Sequence, residues 1–247
     1  DNWRLSIKRF TPISLIVLLV VLVLAVFPAS PQLGDEDRSQ VTVQNVSGGE
    51  ATVTIQFYAE DGTATTPTCL NASNPCDFPN PFVLQDGESR QVIVANVAGL
   101  ADGKYAAVVS STGEIVAMSG AASDGPAHFN GTYAGFSNGG NPTYLPSVNF
   151  NYYGNYGMVS VMNLGDAATD ITLEITCNNV ALVGTLTATD VPMYSSHTFV
   201  LKDEIPTGFT GTTACQGSGK LTASPDKDIV AVNLQNKPAV GNTLVFE

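Results

Sequence analysis

Charge is what this sequence has least of. Only 13% of its 247 residues are Asp, Glu, Lys or Arg, against roughly a quarter in an ordinary soluble protein. Basic residues are the scarcer kind: ten Lys and Arg stand against 22 Asp and Glu, a net charge of −12. Three of the ten, Arg4, Lys8 and Arg9, precede residue 10. The acidic remainder has no cluster of Lys and Arg to neutralise phosphates, which excludes nucleic acid as its partner. Histidine occurs twice, as His128 and His197, neither beside a second residue at metal-ligand spacing. The sequence has no Gly-x-Ser-x-Gly elbow, no Gly-x-x-x-x-Gly-Lys phosphate loop and no Cys-x-x-Cys-His haem motif. The acids are scattered over turns, which is a solvated edge rather than a carboxylate pair for acid–base work. Asp35-Glu36-Asp37 and Asp226-Lys-Asp228 are rich in oxygen ligands, but neither has EF-hand spacing. The expectation is a protein that is not an enzyme, with no catalytic residue, metal or cofactor.

Long apolar runs are also missing, with one exception. Residues 13–27 read ISLIVLLVVLVLAVF, with Ser14 the sole polar residue. Counted from Thr11 to Ser30, the stretch approaches the ~20 residues that a helix needs to cross a bilayer. Pro12 suits a first helical turn and Pro28 a stop. Basic residues lie before the span and acidic ones after it, so the positive-inside rule keeps the N-terminus cytoplasmic and exports the rest. A cleaved signal peptide has similar ingredients, but the exit Val26-Phe27-Pro28-Ala29-Ser30-Pro31 lacks a small-x-small site. We therefore expect residues 1–30 to be a cytoplasmic stub and a retained transmembrane helix contacting lipid through residues 11–30. Residues 31–39 read as a polar linker.

Beyond residue 40, alternation of apolar and polar residues takes over: Val41-Thr-Val-Gln-Asn45, Ala51-Thr-Val-Thr-Ile-Gln-Phe57, Gln91-Val-Ile-Val94, Tyr105-Ala-Ala-Val-Val109. Such runs, separated by turns such as Glu60-Asp61-Gly62 and Asp86-Gly87, predict half-buried antiparallel strands. The pattern is also duplicated. Val41-Thr-Val-Gln-Asn45 matches Val159-Ser-Val-Met-Asn163, and Val53-Thr-Ile-Gln-Phe57 matches Ile171-Thr-Leu-Glu-Ile175 at the same offset. Glu114-Ile-Val-Ala-Met118 likewise matches Asp228-Ile-Val-Ala-Val232. The predicted fold is all-β, with two Ig-like β-sandwich domains over residues 40–122 and 157–247. The Gly/Asn/Tyr-rich stretch between them, 123–156, reads as an inter-domain segment. Its aromatics are expected to pack between the domains or to form a short additional strand pair, with a carbohydrate-stacking platform, and hence glycan partners, as the functional alternative.

Four cysteines, all beyond the apolar run, suit an oxidising compartment. Cys69 and Cys76 bracket an insertion that the second repeat lacks, which pairs them locally and leaves Cys177 and Cys215 to join two strands of the second domain. Cys-x-x-Cys spacing is absent, which argues against a metal site built from the four thiolates. Asn45-Val-Ser, Asn71-Ala-Ser and Asn130-Gly-Thr are N-x-S/T triplets. Asn71 and Asn130, expected in exposed loops, are the stronger glycosylation candidates. Asn45 is expected at a strand end.

The string across residues 41–62, with Ala95-Asn-Val-Ala-Gly-Leu100, Ala107-Val-Val-Ser-Ser111, Ile115-Val-Ala117 and the Tyr144-Leu-Pro…Tyr152-Tyr-Gly154 junction, resembles paired Ig-like repeats of surface proteins in green non-sulfur bacteria and relatives. The resemblance covers most of residues 40–240. The second copy departs from it where Cys177 ends a strand and where Lys202-Asp-Glu-Ile-Pro206 replaces the Ala-Asn-Val-x-Gly-Leu turn. It implies an exported structural or adhesive role without catalytic residues. The expected function is accordingly a membrane-anchored extracellular protein that contacts other surface proteins or its own copies, with edge strands such as residues 91–95 as contact surfaces. A filament subunit of pilin-like architecture, its apolar helix in the fibre core, is the first alternative. An accessory subunit of a larger membrane complex is the second.

Overall fold

The computed structural model describes residues 17–21, 37–71, 75–101, 103–123, 129–237 and 243–246. Among them every paired strand is antiparallel, and the sole helical element is one 3-10 turn, Val94–Asn96. The first half of the chain forms β1 (Val17–Val21), β2 (Asp37–Asn45), β3 (Ala51–Ala59), β4 (Ala64–Thr65), β5 (Phe82–Leu84), β6 (Ser89–Ile93), β7 (Tyr105–Ser111), β8 (Ile115–Ser123) and β9 (Phe129–Ala134). The second forms β10 (Thr143–Phe150), β11 (Tyr156–Asn163), β12 (Thr169–Cys177), β13 (Val183–Val191), β14 (Ser196–Val200), β15 (Cys215–Ser224), β16 (Ile229–Lys237) and β17 (Thr243–Phe246). The alternation read from the sequence is visible in β3, where Ala51, Val53, Ile55 and Phe57 are buried and Thr52, Thr54 and Gln56 are half-buried.

Four sheets result, with orders β1-β7-β3-β4 (β5 also on β3), β6-β2-β8-β9, β10-β15-β12-β13 and β14-β11-β16-β17. The chain crosses between its two sheets at the same points in each half. One apolar core, including Val41, Val53, Ile55, Phe57, Leu84 and Val109, draws on the first two sheets. A second, including Val159, Ile171, Leu173, Ile175, Phe199 and Leu221, draws on the other two. Each half is thus a two-sheet sandwich around its own core.

The duplicated asparagines explain part of this likeness. Asn45 and Asn163 end equivalent strands and are fully buried. Asn45 Nδ2 donates to Gly49 O (2.6 Å) and Leu84 O (2.9 Å), and its Oδ1 accepts from Ser47 N (2.9 Å). Asn163 repeats the pattern with Ala167 O (2.7 Å), Val191 O (3.0 Å) and Gly165 N (2.8 Å). One side chain therefore satisfies three backbone groups at a corner where the chain crosses between sheets.

Two expectations meet differences here. Most of the predicted span at 11–30 lies outside the described residues. The described part, Val17–Val21, is a strand on β7 rather than helix. Five consecutive Val and Leu residues carry no helical period, β-branched residues suit a pleated sheet, and β7 offers an edge of backbone partners. Among the described residues no helix is long and apolar enough to cross a membrane. The stretch 123–156 does supply two strands, but they do not pair with each other: β9 extends the first sandwich by pairing with β8, and β10 extends the second by pairing with β15.

Candidate functional site

The two sandwiches meet through a third apolar cluster. Tyr58, Ala106 and Val108 on β3 and β7 face Met158 and Met162 on β11 and Val230, Val232 and Leu234 on β16. Tyr133, Phe136, Leu164, Tyr194 and Val200 pack around them. These residues occupy the outward parity of their strands, since their neighbours Phe57, Val109, Val159 and Ile229 fill the two inner cores. Fully burying a side chain of this size stabilises by about 1.5–3 kcal/mol, so the contact is a substantial apolar interface. Tyr58 meets Tyr194 edge to face at 5.4 Å, and its hydroxyl donates to Gln56 Oε1 (2.8 Å). Burial, with a smaller contribution from Tyr194, raises the Tyr58 pKa above the ordinary phenol value. At the rim Gly62 has φ +83°, and a Cβ there would lie 2.6 Å from Pro192 Cβ.

Strand register shows why these two faces were joined and not their copies. Ile55, Phe57, Val109 and Ala107 correspond to Leu173, Ile175, Leu221 and Gly219. Tyr58, Ala106 and Val108 therefore correspond to Thr176, Ser218 and Lys220, a polar face that the second sandwich turns to solvent. In the other direction, buried Val230 and Val232 correspond to Val116 and Met118, which are 52% and 44% exposed. The interface is heterologous: one sandwich supplies the donor face and the other the acceptor face.

His197, on β14 near this junction, packs edge-on to Phe199 at 4.7 Å. Desolvation lowers its pKa below 6.5, the carboxylates of Glu204 and Glu60 oppose that shift, and Lys104 adds to it. Lys104 Nζ lies 3.5 Å from Glu60 Oε1. His128 falls outside the described residues. Among those described, no group of three or more His, Cys, Asp or Glu is placed to hold a metal ion. Asp226 Oδ1 instead accepts from Asn141 Nδ2 (2.5 Å), which also donates to Ala223 O (2.9 Å). Asp35 and Glu36 lie outside the described residues.

The structure pairs Cys69 with Cys76 (Cα–Cα 5.9 Å) and Cys177 with Cys215 (5.2 Å). The first closes the loop after β4, and the second joins the end of β12 to the start of β15. Of the three sequons, Asn45 is itself buried and spends its amide hydrogens on the backbone oxygens of Gly49 and Leu84. Asn71 sits half-exposed in the disulfide loop with its amide against Asp77. Asn130 lies in β9, opposite Ala122, and not in a loop.

The aromatics of 123–156 are dispersed. Phe150 enters the second core against Tyr156 (5.7 Å) and Phe209 (5.4 Å), while Tyr133 and Phe136 flank the interface. Tyr153 is 80% exposed at the turn 152–155 and meets Tyr152 at 4.6 Å with planes 66° apart. That edge-to-face pair offers no flat stacking platform. The edge-strand expectation at 91–95 divides: β6 lies at the edge of its sheet, pairing with β2, whereas residues 94–96 form the 3-10 turn. Sequence reading expected aromatics of 123–156 between the domains, where Tyr133 and Phe136 lie, but missed the strand faces that form the interface. The unbroken apolar run Ile229-Val-Ala-Val232 suits a strand buried on both faces. Its counterpart Ile115-Val-Ala-Met118 reads the same and leaves Val116 and Met118 exposed, so the run alone does not single out the interface.

No family model matches the chain, and no curated protein matches it. One solved structure, described as an anti-sigma factor domain-containing protein, is similar at 10% identity and a TM-score of 0.20, with 93% of this chain and 81% of that one covered. A likeness of that size carries no argument about fold or function.

Proposed function

We propose that this chain is an exported structural or adhesive surface protein, held to the membrane by its N-terminal apolar run and acting through contacts, not catalysis. The observation that supports it best is the apolar interface that welds two disulfide-braced sandwiches into one body, the build expected of a projecting spacer. The acidic, Thr- and Asn-rich surface and the resemblance to paired repeats of bacterial surface proteins point the same way. The likeness to an immunoglobulin domain extends to the two-sheet architecture alone. The order β14-β11-β16-β17 against β10-β15-β12-β13 differs from the ABED and CFG sheets of an immunoglobulin constant domain. In this reading the chain's partners are other surface proteins or its own copies, and Asn71 and Asn130 are the positions for glycans if the host attaches them. Protease applied to intact cells should remove residues 40–247 and leave the apolar run with the membrane fraction. Recovery of the intact chain from the cytosol with four free thiols would sink the proposal.

A further inference from the structure

The first strand of each sandwich occupies the same seat. In the second, Thr143 of β10 pairs with Leu221 of β15, which pairs with Leu173 of β12. In the first, Leu19 of β1 pairs with Val109 of β7, which pairs with Ile55 of β3. One step along, Leu145–Gly219–Ile175 corresponds to Val21–Ala107–Phe57. Direction, sheet position and register all agree. Leu145, Val148 and Phe150 of β10 are buried in the second core, so this seat completes a sandwich rather than decorating it.

We propose that the outer edge of β7 is a binding site for an extended apolar strand, that its occupant is residues 17–21 of the same chain, and that this seat competes with the bilayer for the segment. The competition, which rests on the membrane-tether reading, follows from geometry. A helical span needs all of the ~20 residues from 11 to 30, and residues 17–21 lie in its middle. A strand advances about 3.3 Å per residue and a helix 1.5 Å, so the same residues cannot serve both seats. When the segment is in lipid, β7 shows a row of unpaired N–H and C=O groups, the condition for pairing with another strand. When it is on β7, the first sandwich has the same set of strands around its core as the second.

The test uses the full chain with two added cysteines, made by cell-free synthesis under oxidising conditions with or without phosphatidylcholine vesicles. Val17→Cys with Ser111→Cys joins register partners and is nearly isosteric at residue 111. Leu19→Cys with Val109→Cys is the second on-register pair, and Val17→Cys with Val109→Cys is the off-register control. Peptide mapping should show intrachain links in both on-register pairs, at least about tenfold above the control without lipid, because a seated strand raises the local thiol concentration. In chain that floats with vesicles, the same links should fall by about tenfold or more. Equal cross-linking in floated chain overturns the competition. Loss of on-register preference without lipid overturns the site, and covalent dimers in place of intrachain links overturn the choice of occupant. Flotation reads the tether separately: a chain that cross-links in register but never floats fails the membrane reading and removes the competing seat, while leaving the β7 site standing.

Discussion

Asn45 and Asn163 each do three jobs with one amide, so their replacement is a sensitive probe at the residue scale. Alanine at either position strands one buried carbonyl (Leu84 O or Val191 O), a second, part-buried one and an N–H, at a cost of about 2–4 kcal/mol. Aspartate keeps the shape but turns a donor toward two carbonyl oxygens into an acceptor, and should cost at least as much. Urea unfolding of the four variants should show parallel losses at both sites, and a change under about 0.5 kcal/mol at either would refute the corner role. Gly62 is a different case: its φ is positive and its missing Cβ is where Pro192 packs. Gly62→Ala should cost about 1–3 kcal/mol through strain and displacement at the interface. His197 predicts a pH effect. Its folded pKa lies below its ordinary value of about 6.5, so between the two values the unfolded chain binds more protons. Stability is then complete above about pH 6.5, declines as pH falls through the window toward the folded value, and levels below it. His197→Gln should flatten that segment of a stability–pH curve relative to wild type; identical curves would refute the assignment.

At the scale of elements, the two disulfides should not count equally. Cys177–Cys215 closes a sequence separation of 38 and Cys69–Cys76 one of 7. In the chain-entropy picture these are worth about 4 and about 2.5 kcal/mol. Paired Cys→Ala replacements followed by calorimetry should rank in that order, and the reverse ranking would count against unfolded-chain entropy as the main term. Much at this scale was legible beforehand. Strands with strict alternation, such as β3 and β12, announce themselves, and the gap-free duplication of 53–57 at 171–175 foretells that both halves route alike. The cysteine pairing followed from the insertion between residues 69 and 76. What escaped was set by partners distant in sequence. A short strand pair is an expectation for 123–156, but its two strands join different sandwiches, β9 on the preceding β8 and β10 on β15 far along the chain. The apolar run at 13–27 has no period to separate strand from helix. Asn45 reads as a sequon or a turn residue, because nothing in Asn-Val-Ser reveals that Leu84 O will lie above it.

At the scale of the whole molecule, the question is whether two sandwiches behave as one body. The corresponding faces differ by a short list of residues: Tyr58, Ala106 and Val108 in the first sandwich, Thr176, Ser218 and Lys220 in the second. Exchanging the first set for the second writes a solvent face onto the junction. Val108→Lys alone would place an ammonium among the apolar side chains of Met158, Met162 and Val232, a change of the kind that costs about 3–5 kcal/mol. Because the inner cores use the opposite parity of the same strands, that loss falls on the joint rather than on either sandwich. Wild-type chain should therefore unfold in one calorimetric transition and scatter X-rays as a rigid particle. The Tyr58→Thr, Ala106→Ser, Val108→Lys chain should unfold in two transitions and give a larger radius of gyration, with its antiparallel β-signature in circular dichroism retained. A triple variant that still melts as one unit with unchanged dimensions would mean that β9 and the residues 135–142, not the apolar faces, hold the halves together.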